Sequence, residues 1–308
     1  MKRFIKILKE NYQFLFMVLP GTIWFLIFCY TPMFGVVIAF KDLKLRGKGF
    51  LDSILSSEWL GLKNFEFLFK TQDAWIVTRN TVLYNLVFIF LGLFVSVAIA
   101  IILTEISNKK LGKLLQTGMF LPYFLSMVVI SYFMFILLSD KGIINNVITS
   151  FGGESRGWYL DPKPWPVILV LTNLIKGAGY GSVIYLASIA GINISYYEAA
   201  KIDGATKGQQ IKYITLPMLK PVMIMLTLLA IGGIFRGDFG LFYQVPRNSG
   251  VLYPVTDIID TYVYRSLATL GDFGMSSAAG LYQSVVGFVL IMISNYVVGK
   301  LDNDSALF

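Results

Sequence analysis

Six mostly apolar stretches, each at least 21 residues long, take up almost half of the 308-residue chain and constrain it more than any other feature. They run over 14–39, 81–103, 114–138, 166–191, 221–243 and 278–298. About 20 apolar residues in a helix, rising roughly 1.5 Å each, cross the ~30 Å of hydrocarbon in a bilayer. The pattern therefore predicts an all-α integral membrane protein with about six transmembrane helices, the whole of 1–308 forming one domain. Only 14% of residues are charged and 56% are hydrophobic, too little polar surface for a soluble chain of this length. The first stretch follows Lys2, Arg3, Lys6 and Lys9 as a signal sequence would. Its apolar run is long and lacks a small-residue cleavage pattern, so it is expected to stay as an uncleaved first span.

Histidine is absent and Cys29 is the one cysteine, which removes His-based triads, His ligation of haem or metal, and any disulfide or thiolate cluster within the chain. No catalytic residue and no metal site is expected. The net charge of +8 would suggest nucleic acid in a soluble protein. Here it is explained by the excess of Lys and Arg in inner loops, so no nucleic-acid partner is expected. With the N-terminus inside, the inner segments hold 12 basic residues in 58 positions and the outer loops 12 in 98. The denser inner charge, despite Lys41, Lys44, Arg46 and Lys48 in one outer loop, predicts both termini cytoplasmic in a multi-pass protein of the plasma or inner membrane, with lipid around it.

The outer segment 58–79 interleaves Trp59, Phe65, Phe67, Phe69 and Trp75 with charges and is expected to lie at the interface before the second span, either as an amphipathic segment or as an aromatic belt. The run Asp161 to Pro166 should end a loop and begin the fourth span, because proline is tolerated in a first helical turn.

The longest inner segment, 193–221, carries the strongest local signals. Ser195 with Glu198, and Thr206 with Gln209, each have the spacing of a capping box. Gly204 sits between them, where a helix end wants a residue at positive φ. The prediction is a helix of about seven residues, a turn, and a second helix running to Pro217. A capped connector with no other role would look the same.

The residues Glu198-Ala199-Ala200, Asp203-Gly204-Ala205, Ile214-Thr215-Leu216-Pro217 and Pro221 resemble the EAA loop of binding-protein-dependent ABC importer permeases, with a pattern close to EAAxxDGAxxxxxFxxIxLPxxxP. Ile211 stands where that pattern has an aromatic residue. The segments 234–250, 257–265, 271–284 and 61–69 are similar to the branch of permeases that serves oligosaccharide and polysaccharide importers. The resemblance implies a transport subunit and not an enzyme, in which Glu198, Ala199, Ala200, Asp203, Gly204, Ala205, Leu216 and Pro217 form a cytoplasmic coupling helix between spans four and five. It also implies a second, homologous permease, two cytoplasmic ABC ATPases that bind ATP and Mg, and an extracytoplasmic binding protein that delivers carbohydrate. The chain itself lacks a P-loop, and its two D-F-G triplets have no H-R-D loop to accompany them, so no bound cofactor is expected.

Polar groups inside spans are costly, about 2.5 to 3.5 kcal/mol for a Lys, Arg or Asp at a helix centre. Asn173, Lys176 and Tyr180 share one helix face by spacing and could line a pathway or a subunit contact. Arg236 and Asp238, placed in the outer third of the fifth span, could join Tyr243, Gln244, Tyr282 and Gln283 in a sugar-facing cluster, or form an ion pair that holds helices together. Gly177–Gly181 and Gly233–Gly237 have the spacing of close helix crossings. The alternative to an ATP-driven importer is a self-contained secondary transporter, which inverted repeats would favour; none is visible in the sequence.

Overall fold

The computed structural model describes residues 11–44 and 49–301. Lys2, Arg3, Lys6, Lys9, Arg46 and Lys48, which enter the charge argument for orientation, lie outside them. Six helical stretches are long and apolar enough to cross a membrane: Tyr12–Phe40, Gln72–Glu105, Met127–Ser150, Trp165–Ala190, Lys207–Gly232 and Phe273–Lys300. The described residues divide into two compact units, one within 1–70 and 265–282, the other within 71–264 and 283–308.

In the first unit, helix α1 (Tyr12–Phe25) continues through a widened turn at Leu26–Tyr30 and a tightened one over Thr31–Phe40. Pro32 supplies no amide to a regular ladder there, and the Thr31 hydroxyl donates to the Leu26 carbonyl at 2.9 Å. The segment after it does not form one amphipathic helix. Strands β1 (Lys41–Asp42) and β2 (Glu58–Trp59) pair antiparallel, Lys41 opposite Trp59, across helix α2 (Phe50–Ser56). The Asn64 amide donates to the Ala39 and Lys41 carbonyls at 3.0 Å each, and helix α3 (Phe67–Lys70) follows. Phe40 packs against Phe65 and Trp59, so these aromatics close a small folded element.

The second unit is organised around helix α4 (Gln72–Glu105), capped by the Thr71 hydroxyl, which accepts from the Ala74 amide. Its 34 residues make it about 51 Å long, and it starts nine residues before the predicted span. The predicted third span, 114–138, is two helices: α5 (Lys109–Phe124) and α6 (Met127–Leu138), separated by extended backbone at Leu125 and Ser126. Pro122 interrupts the ladder from within, and the Ser126 hydroxyl caps the restart by accepting from Val129. The membrane-length stretch begins only at Met127, and continues past a turn into helix α7 (Ile143–Ser150).

Helix α8 (Trp165–Ala190) begins at the predicted proline-flanked start and lies along α4. Ser96 of α4 donates to the Ala178 carbonyl, and a Cβ on Gly181 would stand 2.6 Å from the Ser96 oxygen. Gly179 abuts the Met119 backbone, whereas Gly177 faces open space, so the close approach uses Gly179 and Gly181 and not the Gly177–Gly181 pair. Two apolar cores flank this contact. One gathers Tyr84, Trp165, Leu169, Leu241, Phe242 and Ile258, the other Val97, Ala100, Tyr185, Ile189 and Leu219.

Candidate functional site

The segment after α8 folds into helix α9 (Ile194–Ile202) and helix α10 (Lys207–Gln210). Asn193, not Ser195, caps α9: its side-chain oxygen accepts from the Ser195 amide at 3.0 Å. The expected Ser195–Glu198 box is therefore not formed. Asn is at least as good a cap as Ser, and the helix begins two residues early, which puts Ser195 inside the first turn. The far end closes as a Schellman motif, with Gly204 N–H donating to the Lys201 carbonyl and Ala205 N–H to the Ala200 carbonyl. Gly204 has φ +78°, as the spacing predicts. The Thr206–Gln209 capping box is present in both directions.

The second helix does not stop at Pro217. It passes through a widened turn at Ile211–Thr215 into helix α11 (Leu216–Gly232), forming one continuous stretch from Lys207 to Gly232. Pro217 sits at the start of α11, and the widened turn before it relieves the clash a proline ring would cause in a regular ladder.

The loop is anchored on its inner side. Gln210, buried, donates to the Ala205 carbonyl, the Tyr197 and Thr215 hydroxyls share a 2.9 Å hydrogen bond, and Lys207 pairs with Glu105 at the end of α4. These groups border a cavity of about 340 Å³. On the outer side Glu198, Ala199, Asp203 and Gly204 are exposed, with Ala200 and Ala205 half-buried beside them and Leu216 and Pro217 also exposed. Ile202 is 87% exposed at the tip. A large apolar side chain thus stands next to short ones on a braced helix.

Lys176 of α8 reaches across to the break between α5 and α6. Its ammonium donates to the Leu125 carbonyl at 2.6 Å and the Tyr123 carbonyl at 3.1 Å, and lies 5.8 Å from the Tyr123 ring. A cation at a helix C-terminus satisfies freed carbonyls and complements the dipole. Tyr180, one turn further on, stacks on Tyr123 with ring centroids 4.0 Å apart. Asn173, half-buried, lies on the same helix one turn before. Lys176 does not pair with Asp238.

Arg236 and Asp238 lie beyond the fifth span, because α11 ends at Gly232 and not near 243. The consecutive glycines 232 and 233 favour the stop, and a Cβ on Gly287 of helix α15 (Phe273–Leu301) would collide with the Gly232 carbonyl. Gly233–Gly237 thus falls in a loop. Asp238 caps helix α12 (Phe239–Gln244) by accepting from Leu241, and forms no ion pair with Arg236. Arg236 donates to Ser284 instead, at 3.0 Å. Gln283 donates to the Phe235 carbonyl and to the same Asp260 oxygen that accepts from Gly237 N–H. Tyr243 stacks on Phe239 and meets Tyr264 edge-on; Gln244, on the next position of α12, is half-buried. Tyr282 precedes Gln283 on α15 and belongs to the first unit.

Several residues outside the predicted set build this region. Asn80 donates to the Pro254 and Asp257 carbonyls, Tyr84 to Val255, and Asn85 to Ile234 and Arg236, while Thr81 accepts from the Ile259 amide. All four stand on α4 and hold the chain between α11 and helix α14 (Ile259–Leu270), which includes helix α13 (Tyr253–Thr256). The signal was a cluster of amides and hydroxyls, 80–85, at the start of an otherwise apolar span. Asp260, on α14 and outside the six spans, is pushed above the ordinary aspartate range by burial, partly offset by the bonds from Gly237 and Gln283. In the outer loop, Asp161 is held below that range by its pair with Arg156. Among the described residues no three Cys, Asp or Glu side chains gather as a metal site.

Six helices long and apolar enough to cross a membrane, with a braced, exposed helix–turn loop between the fourth and fifth, fit a multi-pass transport permease. Residues 92–303 match the family of binding-protein-dependent transport system inner membrane components, and the chain belongs to it. It is 36% identical to the polygalacturonan/rhamnogalacturonan transport system permease protein YteP of Bacillus subtilis (strain 168), over 96% of this chain and 90% of that one. Protein LplB of the same organism is 33% identical, over 96% and 92%. Its fold is similar to a chain of a bacterial ABC transporter involved in import of the acidic polysaccharide alginate, with TM-score 0.87 and 30% identity over 97% of this chain and 99% of that one. A second structure of a bacterial alginate ABC transporter, in complex with its alginate pentasaccharide-bound periplasmic protein, gives TM-score 0.86 and 29% identity over 96% and 97%.

Proposed function

We propose that this chain is one of two permease subunits of an ATP-driven importer that takes up carbohydrate, in oligosaccharide form, from an extracytoplasmic binding protein. The observation that carries the reading is the rigid presentation of Glu198 to Ala205 around the Gly204 turn, braced on its inner side and bare on its outer side. In this reading the whole chain is one permease domain with both termini cytoplasmic, and the loop docks on a cytoplasmic ABC ATPase. Two such ATPases bind ATP and Mg and do the hydrolysis. A second, homologous permease completes the pathway, to which Asn173, Lys176, Tyr180, Arg236, Asp238, Tyr243, Gln244, Tyr282 and Gln283 contribute polar and aromatic groups. Support comes from the relatives, which include a polygalacturonan/rhamnogalacturonan transport system permease and a chain of an ABC transporter involved in alginate import. The test is reconstitution in liposomes. Carbohydrate uptake should require ATP, an ATPase partner and a binding protein; uptake by this chain alone, driven by a proton or sodium gradient, would identify a secondary transporter instead.

A further inference from the structure

We infer that Lys176 with the stacked pair Tyr123 and Tyr180 forms a subsite for an acidic sugar, the ammonium receiving a uronate carboxylate while a ring face takes the sugar. The inference rests on the carbohydrate-importer reading above and narrows its substrate to anionic oligosaccharides. Lys176 is the twelfth of 26 residues in α8, about 17 Å from its start, which places its charge deep in the span and beyond the reach of lipid headgroups. Its two hydrogen-bond acceptors are neutral carbonyls, at Tyr123 and Leu125, so they orient the ammonium without cancelling its charge. Among the described residues no carboxylate pairs with it. A lysine ammonium has three donors, and the two carbonyls leave one for an incoming anion.

The surroundings fit a sugar. Tyr180 is 47% and Tyr123 40% exposed, and their rings stack within 5° of parallel, so each covers the other's inner face and the stack offers a flat outer ring face beside the charge. Aromatic faces accept the C–H face of a pyranose, and their hydroxyls add polar contacts at the edge. A lysine on a lipid-facing surface at this depth would cost about 2.5 to 3.5 kcal/mol, which argues that the face lines a wet path and not the bilayer.

The experiment uses the assembled transporter in detergent, without binding protein, and compares binding of a galacturonate trisaccharide with its carboxyl-reduced, neutral form. The wild-type complex should prefer the acid by about tenfold or more, the worth of a hydrogen bond to a charged group. Lys176→Met should bring the acid-to-neutral ratio close to one, and Lys176→Arg should keep most of it. A site-specific readout on the unmodified protein guards against a variant that does not assemble: reductive methylation of Lys176, followed by mass spectrometry, should be slowed by the acid and not by the neutral form. Equal binding of the two sugars, an unchanged ratio in Lys176→Met, or a Lys176 amine that is unreactive or unprotected by the acid would overturn the subsite. If neither sugar is bound or carried with ATP, the carbohydrate reading itself fails.

Discussion

The Glu105 carboxylate and the Lys207 ammonium stand 2.7 Å apart, joining the last residue of α4 to the first residue of α10. Each occupies the helix end that the backbone dipole disfavours, an anion at a C-terminus and a cation at an N-terminus. Paired, each offsets the other's misplacement. The contact ties the second span to the exposed loop, and it is the one ion pair among the described residues that does so.

Breaking this pair should weaken coupling and leave the fold intact. Both side chains are partly exposed, so the interaction is worth about 0.2–1 kcal/mol and is screened by salt. Glu105→Lys and Lys207→Glu should each lower the ratio of transport to ATP hydrolysed, with partial recovery in the double exchange. Additive losses in that cycle would show the pair to be without energetic effect.

Gly204 tests the loop's shape without altering its contacts. A Cβ there meets nothing within 4 Å, so the cost of Gly204→Ala is that of left-handed backbone, about 1–2 kcal/mol, and Gly204→Val costs more. Uptake should fall in the order Gly, Asn, Ala, Val at normal membrane levels. Full uptake by Gly204→Val would exclude a role for this turn in transport.

Asn193 and Ser195 separate the observed cap from the one the spacing suggested. Asn193→Ala should destabilise the loop by ~1 kcal/mol, seen as faster hydrogen exchange in α9, because the Ser195 amide loses its acceptor. Ser195→Ala should leave exchange unchanged.

Gly179→Ala should reduce the melting temperature in detergent, since the new methyl enters the Met119 backbone, with overpacking costing about 1–3 kcal/mol. Gly177→Ala, facing open space two residues away and so on nearly the opposite side of the same helix, should be neutral or slightly stabilising for the isolated chain. Equal effects of the two would contradict the observed crossing.

Asp260 gives a pH dependence with a defined sign. Its folded pKa is raised by burial, so the folded protein keeps a proton that the unfolded chain releases near pH 4. Stability therefore falls as pH rises from about 4 through the folded value, and above it the buried carboxylate remains a cost. The bonds from Gly237 and Gln283 go to one oxygen of this side chain, which an asparagine can reproduce. Asp260→Asn should flatten the pH profile while keeping stability at neutral pH. Asp260→Leu should lose about 1–3 kcal/mol for each donor left without an acceptor.

The sequence disclosed the six spans and the loop because both are written in local rules: run length for the spans, and caps and a glycine for the loop. Thr206 with Gln209, and Gly204, behave as their spacing predicts. What it concealed is tertiary. The break at Leu125 and Ser126 is marked in the sequence by Pro122 and Ser126, and the carbonyl it frees at Leu125 is met by Lys176, 51 residues away. The end of the fifth span at Gly232 follows from a glycine pair in contact with Gly287, while hydropathy continues across it. Arg236 and Asp238 looked like an intramembrane pair because both charges fell in that extended window. Once the helix stops, each takes a separate partner, Ser284 and the Leu241 amide.

The unbroken helix from Lys207 to Gly232 has a mechanical meaning. Its 26 residues make a strut about 39 Å long, with the exposed loop at one end and the turn carrying Arg236 and Asp238 just past the other. A rod of this kind transmits a push instead of absorbing it. In the proposed importer a shift of a few ångströms imposed at Ile202 or Gly204 would travel along this strut, whose two departures from a regular ladder are the widened turn at Ile211–Thr215 and Pro221. Work done at one membrane face would then be felt at the other without any group passing between them.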